Sequence, residues 1–191
     1  MRAGFPEFRL GSVLATSFTA TLTERQGDPV ERIPVPQRLV DWLAVNGLAV
    51  GSCTTGQLER ARELRESIHL AATAAALKEP LPGPAVQVIN DRSTEGRAAA
   101  ILTPDGEREW RLSPSSSVED ALGVIAADAI GILAGERDGR LALCASPTCR
   151  AAFFDTSQSR TRKWCEMNTC GNRQKKARFN ASQRKRPRPE E

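Results

Sequence analysis

The chain has 191 residues, 40% of them apolar and 26% charged, enough for one packed domain with a smaller appendage and too apolar for a wholly disordered chain. No run approaches the roughly 20 apolar residues a bilayer span requires, and the opening MRAGFPEFRLGSV lacks an apolar signal core, so a soluble cytoplasmic protein is expected. Charge is unevenly spread: residues 158–191 hold 11 of the 27 basic residues against three acidic ones, leaving 16 against 20 in the first 157. That asymmetry suits a polyanionic partner, nucleic acid being the commonest, and equally a solubilising tail.

The Thr-rich alternation Leu14–Leu22 fits a strand or an irregular packed segment, broken by the charged stretch 24–29. After Pro36, apolar residues at Leu39, Val40, Leu43 and Ala44 recur with helical spacing beside Trp42, and Asn46-Gly47 closes this short helix. A long helix follows from about Thr55 to Lys78, with Leu58, Ala61, Leu64, Ile68 and Ala71 as its buried stripe and a charged opposite face. His69, the one histidine, has no second His or neighbouring Asp and is expected as a packed or surface residue. Cys53 is isolated in the same way and reads as a small buried residue or loop thiol.

Residues 86–90 suggest a short helix or connector. Residues 98–103 and 107–112 flank Pro104-Asp105-Gly106, a hairpin signal. Ser116 with Glu119 resembles a capping box opening a helix to about Ala134 that is apolar nearly all round, the expected central core element. Residues 135–139 then turn into Arg140-Leu141-Ala142-Leu143.

Cys144 and Cys149, then Cys165 and Cys170, form two equal pairs with four residues inside each and fifteen between them. Two such turns can meet to give a tetrahedral four-sulfur shell for one Zn²⁺. Disulfides are disfavoured for an intracellular chain, and a shell of four thiolates leaves no open position for catalysis, so the metal is structural. The formal charge of such a shell, about −2, draws compensation from Arg162, Lys163 and Arg173, with Arg173 first in line. Arg160, Lys175, Lys176, Arg178, Arg184, Lys185, Arg186 and Arg188 are then the candidates for phosphate contact, with Arg162 and Lys163 able to share that role. Asp155 can brace the hairpin by accepting from Arg173 or from backbone N–H groups, and Trp164, Phe153 and Phe154 suit a minimal apolar core beside the zinc, with stacking on bases as the lesser alternative.

The signature Cys170-Gly171-Asn172-Arg173, with Phe154-Asp155, Ser157, Arg162, Trp164-Cys165 and Met167 before it and Lys175 and Arg178 after it, resembles the CGNR zinc-finger family. That resemblance implies DNA binding, structural roles for Asn172 and Arg173, and an N-terminal regulatory domain of the ABATE type, a family described as candidate stress-induced transcription regulators. The order of elements before the finger is similar to that domain. Where relatives often carry an Asp…Asn-Thr pattern, this chain has Ser17, Ala20 and Thr21.

The expected fold is α+β and helix-dominated: a larger N-terminal domain over 1–137, a treble-clef-like or hairpin-plus-helix zinc finger over 140–181, and a basic, disordered tail over 182–191. The leading function is a zinc-binding transcription regulator that contacts DNA, its N-terminal domain sensing an effector ligand or protein partner. Alternatives are a zinc-stabilised protein-interaction or ligand-sensing module, or an RNA-binding protein. No Gly-rich phosphate loop, GxSxG or HExxH supports an enzyme. A dimer would suit a regulator, but no residue pattern specifies one.

Overall fold

The computed structural model describes residues 5–11, 13–115 and 117–184. Helices dominate, with three two-stranded antiparallel sheets between them among the described residues, as the α+β expectation requires. No helix among the described residues is long and apolar enough to cross a membrane.

The first element corrects the sequence expectation. Leu14–Thr19 is a short helix, α1, and only Leu22–Thr23 is extended, as β1 paired with β2 (Val30–Glu31). Hydroxyls explain the difference. Thr16 and Ser17 donate to the Val13 carbonyl, Thr19 to that of Thr16, and Thr21 to that of Phe18, so buried hydroxyls are satisfied within single turns. Asp128, from a distant helix, accepts the Ala15 N–H at 2.8 Å and fills an open donor of the first turn.

α2 spans Pro36–Val45, with Pro36 in its first turn and Gly47 (φ 74°) just past its end. α3 spans Thr55–Leu77 and opens on a complete capping box. The Thr54 hydroxyl accepts from the Gln57 N–H, and the Gln57 side chain accepts from the Thr54 N–H. Lys78 closes it in the left-handed conformation (φ 61°). α4, Gly83–Glu95, is a full helix where the sequence suggested only a short one. Just two of its residues, Ala85 and Ile89, are buried, so its apolar stripe is faint.

β3 (Ala99–Leu102) and β4 (Arg108–Arg111) form the expected hairpin around Gly106 (φ 80°), in the register Ala99 opposite Arg111. α5, Ser117–Leu133, is the central element and packs against α1, α3 and α4. Ser116, the expected cap, lies outside the described residues. The Glu119 carboxylate accepts from Gln57 and Arg60 on α3. Asp120 is fully buried and accepts the Arg97 and Ser113 N–H groups at 2.8 and 2.6 Å, tying both ends of the β3–β4 hairpin to α5.

The core gathers Phe18 and Trp42, whose rings lie 5.0 Å apart, with Leu39, Leu43, Leu64, Ile68, Leu122 and Ile125. α4 leads into Gly96, which crosses α5 at Gly123 so closely that a Cβ on Gly123 would sit 2.6 Å from the Gly96 Cα. Phe154 belongs to this same core although it lies in the last sheet, β5 (Arg140–Leu143) with β6 (Ala152–Asp155). That sheet carries the cysteine module, and its position against the helices fixes where the module sits.

Candidate metal centre

The hairpin β5–β6 presents Cys144 and Cys149 at the ends of a tight turn. Cys149 and Arg150 both donate backbone N–H groups to the Ser146 carbonyl, and Arg150 takes positive φ (49°) so that the chain can re-enter β6. Cys165 follows an extended loop, whose position is set by a hydrogen bond from the Ala145 N–H to the Lys163 carbonyl at 2.8 Å. Cys170 lies in a wide π-type turn, Met167–Gly171, that runs directly into α6, Asn172–Arg184.

All four sulfurs lie within 4.8 Å of one another. Cys149 and Cys165 are 3.6 Å apart, and Cys165 and Cys170 are 3.7 Å apart. A regular tetrahedron with Zn–S bonds of about 2.3 Å has edges of roughly 3.8 Å, so the donor set fits one zinc ion. Cys144, Cys149 and Cys170 are wholly buried, and Trp164 packs over the cluster with Ala151.

Electrostatics favour the same reading. Hydrogen bonds from the Cys149 and Cys165 thiols, joined by the backbone N–H groups of Cys165 and Ser146, pull the Cys144 thiol down to about 2. The Cys144 and Cys149 sulfurs, with burial, push Cys165 up; burial and the charge on its neighbours push Cys170 up to about 12. Burial and the charge of neighbouring sulfurs therefore oppose ionisation of Cys165 and Cys170 in the metal-free cluster. A divalent cation reverses that constraint and allows four thiolates to share the space.

Asp155, fully buried, uses one of the two ways expected of it. Its carboxylate accepts the N–H groups of Ser157 and Arg162, both at 3.0 Å, with Arg140 3.8 Å away. Burial works to raise its pKa, but these donors outweigh it and hold the group below the ordinary carboxylate value. Arg173 is not its partner. That guanidinium forms a two-armed pair with Glu24 (2.6 and 3.1 Å), in the turn between β1 and β2, and donates to the Thr148 hydroxyl at 3.1 Å. Thr148 in turn donates to Glu24 at 2.7 Å, and the Gln26 N–H donates to the Thr148 carbonyl at 3.0 Å. The zinc turn is thus seated on the N-terminal part of the chain through the signature arginine. The Glu24 pair raises the Arg173 pKa first, and the Cys170 and Cys149 sulfurs add to it, so Arg173 also feels the cluster's charge.

Asn172 donates to the Asn168 carbonyl at 3.2 Å and braces the π-type turn. Of the three aromatics expected beside the zinc, only Trp164 packs there. Successive residues of a strand face opposite ways, so Phe154 enters the main core while Phe153 lies under the Arg162 guanidinium, 5.2 Å from its ring centre.

The basic candidates separate by their surroundings. Arg162 is engaged with the carbonyls of Trp164 (2.7 Å) and Cys165, and Arg160 pairs with Asp138. Lys163, Lys175 and Lys176 are exposed and form no ion pair among the described residues. The Arg178 and Arg184 side chains and residues 185–191, including Lys185, Arg186, Arg188 and the expected tail, lie outside the described residues; α6 itself runs three residues past the expected end of the finger. Sequence reasoning missed Arg140 and Arg150, which line a shallow groove with Lys163 beside the hairpin; their position flanking the first cysteine pair was the available signal. It also missed Glu24 and Thr148. Cys53 donates to the Thr54 carbonyl, and burial, with Glu119 nearby, raises its pKa.

Two family models match the chain in succession. ABATE, described as "Putative stress-induced transcription regulator", matches residues 12–136, and the CGNR zinc finger matches residues 140–183. A search of the curated proteins finds no match. The ABATE match spans most of the chain and the four-cysteine cluster falls within the match that follows it, so this chain belongs to the ABATE family with a CGNR zinc finger after the ABATE region.

Proposed function

We propose that the protein is a transcription regulator that binds DNA through its zinc module and α6, while the part up to about residue 137 senses a small ligand or partner. The observation that carries the reading is the exposed lysine set on and beside the zinc module: Lys163, Lys175 and Lys176, joined by Arg140 and Arg150. Lysines at the surface of a rigid, metal-braced platform suit phosphate contact, which positions a protein on a duplex without specifying sequence. In this division of labour the finger spans about 140–181 and acts as one body with the N-terminal part, because Arg173 and Phe154 join them. Descriptions of both matched families as a regulator and a zinc finger support this direction over an enzymatic one.

Fluorescence anisotropy with a labelled duplex tests the reading. Binding should weaken steeply with salt, the log–log slope falling by about 0.9 for each phosphate contact removed. Lys175→Glu with Lys176→Glu should reduce affinity at least tenfold at low salt while the zinc content is retained. No binding at low salt, or unchanged binding after charge reversal, would refute DNA contact through α6. Equal affinity for a single-stranded or double-stranded RNA of the same length would favour the RNA-binding alternative.

A further inference from the structure

A cavity of about 340 Å³ lies between the N-terminal segment and the zinc hairpin, with walls from both: Arg9, Thr16 and Ala20 on one side, Phe153, Arg162 and Glu166 on the other. Arg9 is the informative residue. Its Nε lies 3.4 Å from a Glu166 carboxylate oxygen, yet its Nη1 is buried and has no hydrogen-bond partner among the described residues. A buried guanidinium N–H without an acceptor is costly, and a carboxylate is the acceptor whose geometry matches the guanidinium fork. Arg162 places a second positive charge on the lining; two of its nitrogens hold backbone carbonyls, but its charge remains.

Ser17, Thr23 and Thr156 also line the cavity, and Thr16 and Glu166 are the polar groups that suit the other end of a ligand. The Thr16 hydroxyl hydrogen is committed to the Val13 carbonyl at 3.2 Å, so this group offers lone pairs only, and Glu166 is likewise an acceptor. The buried Phe153 and Ala152 supply apolar wall. A volume of this size suits a small molecule.

We propose that this cavity binds a small organic carboxylate, its charged group on Arg9, its apolar body against Phe153, and any hydroxyl or amine toward Thr16 and Glu166. This rests on the ligand-sensing reading and gives the ligand its chemical class. Because the walls come from the N-terminal part and from the zinc module together, occupancy favours the seated arrangement of the module, and loss of zinc removes part of the site.

The test uses the full zinc-loaded chain with hexanoate, benzoate and mandelate, each against its neutral amide, by titration calorimetry and thermal shift. The acids should bind and raise the melting temperature, and the amides should not. Arg9→Gln should weaken acid binding at least about tenfold, while its zinc content and unliganded melting temperature stay near those of the parent. If Arg9→Gln does not fold, Arg9→Lys serves: it keeps the charge, loses the fork, and should weaken binding several-fold. The proposal is overturned if none of the acids binds, if the amides bind as well as the acids, or if a folded Arg9 variant binds the acids unchanged. Amide binding would refute the anionic class and leave a sensing domain standing. The sensing reading is judged separately, by whether any bound small molecule alters DNA affinity.

Discussion

Glu24 and Arg173 are 149 residues apart in sequence, yet their pair decides how the zinc turn meets the rest of the molecule. Glu24 is nearly buried while the Arg173 side chain is 45% exposed, so the pair is partly screened, and Glu24→Gln should cost about 1–2 kcal/mol in denaturant unfolding. A double-mutant cycle with Arg173→Gln should recover most of that as coupling energy; additive losses would show the pair to be a bystander. The Arg173 bonds hold the Glu24 carboxyl below its ordinary value, so this contribution is present at neutral pH and lost as pH falls through the folded-state value. His69 gives a second handle on pH. Burial, with Arg25 beside it, lowers its pKa to about 4, and its Nδ1 has no partner. The unfolded chain therefore takes up a proton that the folded chain refuses, so stability is lost as pH falls from about 6.5 toward 4. His69→Gln should flatten that segment of the stability profile; a variant with the parent slope would mean the ring is hydrated.

Elements differ in how openly their residues announce them. The α3 stripe and the nearly all-apolar α5 were legible because many buried positions repeat at helical steps. α1 was not, since β-branched threonines favour extension until their hydroxyls find carbonyls three or four residues back, which alternation cannot reveal. The full length of α4 was not legible beyond a short helix or connector over 86–90, because two buried residues make no stripe. The α4–α5 crossing shows how context overrides propensity. In an exposed helix Gly→Ala stabilises by about 1 kcal/mol, but at Gly123 the added carbon meets backbone that cannot rotate away. Gly123→Ala should therefore lower the melting temperature, and a rise would show that the helices have room to separate.

Across the whole molecule, the metal site was readable from four residues and their spacing, whereas its seating was not, because Glu24 and Phe154 carry no local sign of their partners. The seating has a thermodynamic consequence. Phe154 lies in the main core, and the Glu24–Gln26 turn bonds to the zinc turn, so removing zinc should destabilise more than the finger. Calorimetry after chelation should show the main transition moved down by several degrees; an unmoved main transition would mean that the finger folds independently.

Cys144, Cys149, Cys165 and Cys170 together hold a single structural zinc. Native mass spectrometry of the purified chain under reducing conditions tests it most directly. One zinc per chain is predicted, lost on Cys149→Ser or Cys170→Ser and retained on Cys53→Ser. A metal-free folded chain with these sulfurs paired as disulfides, or zinc retained in both Cys149→Ser and Cys170→Ser, would contradict it.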